Sequence, residues 1–151
     1  MFLPLADMEI LGLKDGDLVH ITCPSRRKDT LALLFLSESN AEPQAILMNH
    51  ICRKNLAAQV GDIVNIQIFN KAVNFSKIVL RKIGGFAPYA TPENHEQNSL
   101  TEYFSNGYRP VCKNDLFEIK NQLGTMEFMI TWSEPSSYGF VTPDTMIAID
   151  W

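Results

Sequence analysis

The sequence predicts a mainly β chain in two parts, a pseudo-twofold barrel followed by a smaller β unit, and three observations carry that prediction. The stretches "LKDGDLVHI" (Leu13–Ile21) and "AQVGDIVNI" (Ala58–Ile66) are near copies of one another. Short alternating or all-apolar runs bounded by turn residues outnumber the few stretches with a helical pattern. The composition also breaks at Gly84 to Asn98, "GGFAPYATPENHEQN". Its glycines, prolines and polar residues read as a linker. The expected organisation is therefore a barrel over residues 1–83, a linker over 84–98 and a small β barrel over 99–151.

Each copy of the repeat places a Gly-Asp pair ahead of an alternating strand pattern. Gly16 and Gly61 can take positive φ without a Cβ clash, and the carboxylates of Asp17 and Asp62 can accept the backbone N–H groups that close a tight turn. A weaker third copy is "VCKNDLFEI" (Val111–Ile119), with Asn114 in the glycine place and Asp115 after it. Asparagine is a residue that tolerates the left-handed region. A single such turn would carry little, but two that lie 45 residues apart, Gly16 to Gly61, suggest two similar halves closing one barrel.

Taken in order, "DMEILGL" predicts two turns of helix with Met8, Leu11 and Leu5 inward. A strand from Asp17 to Cys23 follows, then a turn over Pro24 to Lys28. Thr30 to Ser37 is apolar enough to be a strand covered on both faces. "AILMN" reads as a short strand, and Asn49 as the cap of a helical turn "HICRKNLA". The second Gly-Asp strand runs to Phe69, and "SKIVLRKI" closes the barrel near Ile83. Beyond the linker, Ser99 can cap a helix in "SLTEYFSNGY". The strands "DLFEIK", "TMEFMITW" and "MIAID" come next, with turns at "EPSSYG" and "TPDT".

Several function classes are excluded by what the chain lacks. Its net charge of -4 and pI near 5.3 argue against nucleic acid as a partner, because phosphate binding needs a basic face. Arg26, Arg27 and Lys28 read as a solvated turn. No apolar run is long enough to cross a bilayer, and the start has no signal-peptide pattern, which makes a cytosolic or nuclear location the default. Cys23, Cys52 and Cys112 are an odd number with no metal-ligand spacing, and read as reduced thiols without a metal. No phosphate-binding lysine loop, metal helix or nucleophile turn is present. His20, His50 and His95 are scattered, and Asp15 with Asp17 flanks a turn. By motif the chain is not an enzyme.

"GYRPVCKNDLFEIK" (Gly107–Lys120), "MEF" and "EPSSYGFVTPDTMI" (Glu134–Ile147) resemble the amino-terminal domain of the valosin-containing, Cdc48-type family of ubiquitin-directed AAA ATPases. "LKDGDLVHI", "ILMNHICRKNLAAQVGDIVNIQ" and "KIVLRKI" follow in that family's order. The resemblance implies a double-psi β-barrel followed by a smaller β-barrel subdomain. It also implies that the family's first β segment lies upstream of Met1. The ATP and magnesium chemistry belongs to ATPase modules outside this stretch, so no cofactor is expected here.

The resemblance further implies adaptor recruitment, through a groove that here would be lined by Leu34, Leu36, Asn74 or Phe75, Gly107, Tyr108 and Arg109. Implied partners are ubiquitin-regulatory X domains, arginine-rich helical motifs and the hexameric ATPase ring of the parent chain, in the cytoplasm, nucleus or at the endoplasmic reticulum surface. Neither nucleic acid nor direct membrane insertion is implied. Tyrosine and arginine suit an interface anchor, although both could instead brace the fold. Leu34 and Leu36 share a strand face that is either groove or core. An adaptor of the ubiquitin-fusion-degradation type is the alternative function, whereas a self-processing decarboxylase on the same barrel would need a Gly-Ser cleavage site, and the sequence has none.

Overall fold

The computed structural model describes residues 1–38, 42–85, 93–121 and 124–150. The chain divides into two compact units, Met1–Asn70 and Lys71–Trp151.

The first unit contains β1 (Phe2–Leu3), α1 (Leu5–Leu11), β2 (Leu18–Cys23), β3 (Lys28–Leu33), β4 (Phe35–Leu36), α2 (His50–Leu56) and β5 (Asn65–Ile68). Strand β2 lies between β3 and β5 and is antiparallel to both. It earns the central place by alternation: Val19, Ile21 and Cys23 are fully buried, while the residues between them are half-exposed. Strand β1 pairs in parallel with β4. Asn49 caps α2 as predicted, its Oδ1 accepting the Cys52 N–H at 2.8 Å.

Three expectations for this unit are corrected. In α1 only Met8 and Asp7 are buried, whereas Leu5 and Leu11 are exposed, because a seven-residue helix presents only a narrow stripe to the core. The apolar run from Thr30 to Ser37 breaks at Leu34. Its N–H donates to Asp17 O at 2.9 Å and its carbonyl accepts from Gly16 at 2.7 Å. "AILMN" forms one bridge, Leu47 to Phe2, rather than a strand.

The second unit contains β6 (Val73–Asn74), β7 (Lys77–Gly85), α3 (Glu93–Ser105), β8 (Arg109–Cys112), β9 (Leu116–Asn121), β10 (Gly124–Glu134), β11 (Tyr138–Val141) and β12 (Met146–Asp150). One sheet has the order β12-β7-β10-β9 and another β6-β11-β8. Phe75, Ile78, Leu80, Leu100, Phe104, Phe128, Ile130 and Val141 are among its core residues.

The boundary expected over residues 84–98 is corrected to Asn70/Lys71. "SKIVLRKI" does not close the first unit but forms β7, between antiparallel β10 and parallel β12, so one sheet runs across the supposed break. Alternation in that run fixes a strand and a buried face, Ile78 and Leu80, without naming the sheet that receives it. Residues 86–92 of the expected linker lie outside the described residues, and Glu93 to Asn98 are helical. Ser99 is therefore inside α3 and does not cap it. Two long-range contacts hold the helix: Glu96 Oε1 accepts from Lys82 Nζ at 2.6 Å, and Leu100 and Phe104, one turn apart, are buried. The mainly β class holds. Among the described residues, the hydrogen-bonded ladders form open sheets and not closed barrels.

The strand-entry turns repeat in atomic detail. Gly16, Gly61 and Asn114 have φ of +88°, +97° and +75°. In each turn the following aspartate donates its N–H to the carbonyl three residues back and accepts that residue's N–H on its carboxylate: Asp17 with Lys14 (2.8 Å), Asp62 with Gln59 (2.9 Å) and Asp115 with Cys112 (2.9 Å). A fourth turn uses a hydroxyl, with Thr145 Oγ1 accepting the Thr142 N–H at 3.0 Å just ahead of β12. The first and third turns also clasp a fully buried residue on both backbone groups, Leu34 and Ile130 respectively.

Candidate functional site: an aromatic surface on the second unit

The small sheet β6-β11-β8 brings together residues far apart in sequence. In register, Asn74 of β6 pairs with Phe140 of β11, which pairs with Pro110 of β8. These three share one face, because directly paired residues point the same way. Val141, next to Phe140, is fully buried on the opposite, core face. Strand β11 approaches β6 so closely that a Cβ on Gly139 would collide with Val73 O and the Phe75 ring.

Tyr108, just before β8, is 62% exposed, and its ring stands edge-on to that of Phe140 at 6.2 Å. Gly107 before it has φ +132° and no heavy atom within 4 Å of a built Cβ. This is an open approach that only glycine can hold without strain. Arg109 is already engaged within the fold. Its Nε donates to Tyr103 O at 2.9 Å, and its guanidinium lies 3.9 Å over the Tyr103 ring. That carbonyl belongs to the last turn of α3, so Arg109 satisfies a helix end while stacking on an aromatic face. Burial pushes the Tyr103 phenol up from its ordinary value, and the Arg109 charge opposes that rise. Tyr103 continues the stack to Phe117 and Phe128.

Of the seven groove residues named from sequence, Asn74, Gly107, Tyr108 and Arg109 lie on or beside the β6-β11-β8 sheet of the second unit, with β11 between Asn74 and the other three and Arg109 paired with Val141 rather than with Phe140. Leu36 is on the first unit and 38% exposed. Leu34 is corrected to core: it is fully buried in the first unit, with its backbone tied to the Gly16 turn. Phe75 is likewise core, 2% exposed, which leaves Asn74 as the exposed residue at that place. Sequence reasoning missed Phe140 and Tyr103. The alternation of half-exposed and buried residues in "YGFV" marks Phe140 as facing away from the core. The Tyr103 contact depends on tertiary structure and leaves no local signal.

On the first unit, Asp62 both closes its turn and accepts from Arg26 Nε at 2.9 Å. The Gln59 N–H, and after it the Arg26 guanidinium, hold this carboxyl below its ordinary range. Among the described residues no group of three side chains could hold a metal ion, and no helix is long and apolar enough to cross a membrane.

Residues 2–72 match the family model described as Cell division protein 48 (CDC48), N-terminal domain. That segment spans the first unit with both of its Gly-Asp turns, while Tyr108 and Arg109 lie beyond it. The matched family is the N-terminal domain and not an ATPase module. With its paired turns and mainly β build, the segment from 2 to 72 is similar to the N-terminal domain of the Cdc48-type AAA ATPase family.

Proposed function

We propose that the chain recruits adaptors to a ubiquitin-directed segregase ATPase, and that Tyr108 is the side chain that anchors them. The family match supports a protein-interaction role in general. The observation that carries the finer reading is the exposure of Tyr108 over Phe140, beside an unobstructed glycine and the outward Asn74. An exposed, pre-oriented tyrosine offers a large contact area at low entropic cost. Arg109 enters as a positioning residue, because its Nε and one face of its guanidinium are used on Tyr103.

The partners that fit are ubiquitin-regulatory X domains and arginine-rich helical motifs, and the net charge of -4 favours approach of the latter. ATP and magnesium belong, on this reading, to the hexameric ring of the parent chain, which works in the cytoplasm, in the nucleus and at the endoplasmic reticulum surface. A titration of the nitrogen-15-labelled chain with a ubiquitin-regulatory X domain tests it. Amide shifts concentrated at Asn74, Gly107, Tyr108 and Phe140 are the supporting result. Saturable binding that leaves all four unmoved would refute the site.

A further inference from the structure

We propose that the Glu96–Lys82 pair is a positioning device for the Tyr108 surface: it fixes where α3 lies along its sheet, and α3 in turn holds Arg109, the residue next to Tyr108. This rests on Tyr108 being the adaptor anchor. On α3, Glu96, Leu100, Tyr103 and Phe104 fall at i, i+4, i+7 and i+8, the spacing of one helix face. Leu100 and Phe104 are buried, and Tyr103 packs against the same core. Glu96, only 8% exposed, is the charged member of that face. Its Oε1 accepts from Lys82 Nζ at 2.6 Å, whereas its Oε2 is buried with no hydrogen-bond partner among the described residues.

For stability alone, an apolar pair would suit these two positions better. Apolar side chains of similar volume in place of a buried ion pair are often neutral or stabilising, and an unpartnered carboxylate oxygen is a cost. What the ion pair supplies instead is direction. The contacts of Leu100 and Phe104 with the core are non-directional and let a helix slide or turn by a small step, whereas a charged hydrogen bond has a narrow geometry. Lys82 is the anchor on the sheet side, on β7 in register with the fully buried Phe128 of β10. About two helical turns beyond Glu96, the Tyr103 carbonyl accepts from Arg109 Nε at 2.9 Å and the Tyr103 ring lies under the guanidinium. The helix therefore makes one directional contact to the sheet near its start and another, near its end, to the strand that begins beside Tyr108. A displacement at the first passes along a rigid element to the second.

The test is the full chain carrying Lys82→Met and Glu96→Leu together, followed by nitrogen-15 NMR and by calorimetric titration with a ubiquitin-regulatory X domain. The double variant should melt at or above the wild-type temperature, because no buried charge is left unpaired. It should nevertheless displace the Arg109 Nε–H and Tyr108 amide signals and weaken binding by about threefold or more. Both signals at their wild-type positions, whatever the melt, overturn the proposal, because a merely structural pair would leave them there. An unchanged Kd overturns it as well. Should the double variant fail to fold, Lys82→Arg, which keeps the charge on a longer and differently shaped head, should displace the same two signals, and their staying in place overturns the proposal. If the wild-type chain does not bind the ubiquitin-regulatory X domain at all, the adaptor reading fails by itself, and the two signals still decide whether Glu96 positions Tyr108.

Discussion

Asp115 and Cys112 hold one another twice: the Asp115 N–H donates to the Cys112 carbonyl at 3.0 Å, and the Asp115 carboxylate accepts the Cys112 N–H at 2.9 Å. Both residues are buried. The same reciprocal pair starts two strands of the first unit, at Asp17 and Asp62, and Thr145 repeats it with a hydroxyl. Removing the carboxylate from the buried copy withdraws the acceptor that the Cys112 N–H uses at a buried position. Asp115→Ala should therefore cost about 2 to 3 kcal/mol. Asp62→Ala, at an exposed turn, should cost visibly less. Urea unfolding of the two variants checks the order.

Gly61 and Gly139 are constrained for different reasons. Gly61 has φ +97° with open space around a built Cβ, so Gly61→Ala should cost only the left-handed strain, about 1 to 2 kcal/mol. At Gly139 the added carbon meets Val73 O and the Phe75 ring, where two strands meet. Gly139→Ala should destabilise by more than Gly61→Ala. Thermal melts with reversed order would refute the packing at β11.

The pH dependence has a definite sign at Asp62. Its carboxyl is held below the ordinary value by the Gln59 N–H and then by Arg26, so the folded state binds the proton less readily than the unfolded chain. The stabilisation is present above the ordinary carboxylate pKa and is lost as pH falls through the lower folded value. Asp62→Asn should flatten the acid limb of a stability curve below about pH 4 and leave the neutral limb parallel to wild type. An unchanged acid limb would count against the Asp62 contacts.

Arg109 and Tyr108 are adjacent, yet truncation should separate them. Arg109→Ala loses the bond to Tyr103 O and the stack on its ring, at a cost of about 1 to 2 kcal/mol for a half-exposed side chain. Tyr108→Ala, at an exposed site, should change stability by no more than about 0.5 kcal/mol. Differential scanning calorimetry distinguishes the two. Equal losses would mean that Tyr108 also braces the fold.

What could be read from the sequence was local chemistry. Gly16, Gly61 and Asn114 signalled positive φ because few residue types tolerate it, and Asn49 signalled a helix cap because its short side chain reaches the Cys52 amide. The destination of "SKIVLRKI" was not legible, since alternation places Ile78 and Leu80 on one face without saying which sheet receives them. The polar stretch ahead of Ser99 concealed a helix anchored from outside itself, by Lys82 on Glu96. Within the candidate site, Tyr108 stood out by type. The engagement of Arg109 and the burial of Leu34 and Phe75 depended on contacts that spacing alone does not record.

The most direct measurement is calorimetric titration of a ubiquitin-regulatory X domain into the wild-type chain and into Tyr108→Ala, with melts confirming that both are folded. Loss of a central aromatic anchor costs about 2 kcal/mol or more, so the variant should bind roughly thirtyfold more weakly at unchanged stability. A Kd for Tyr108→Ala equal to that of wild type would contradict the assignment of the β6-β11-β8 surface as the adaptor site.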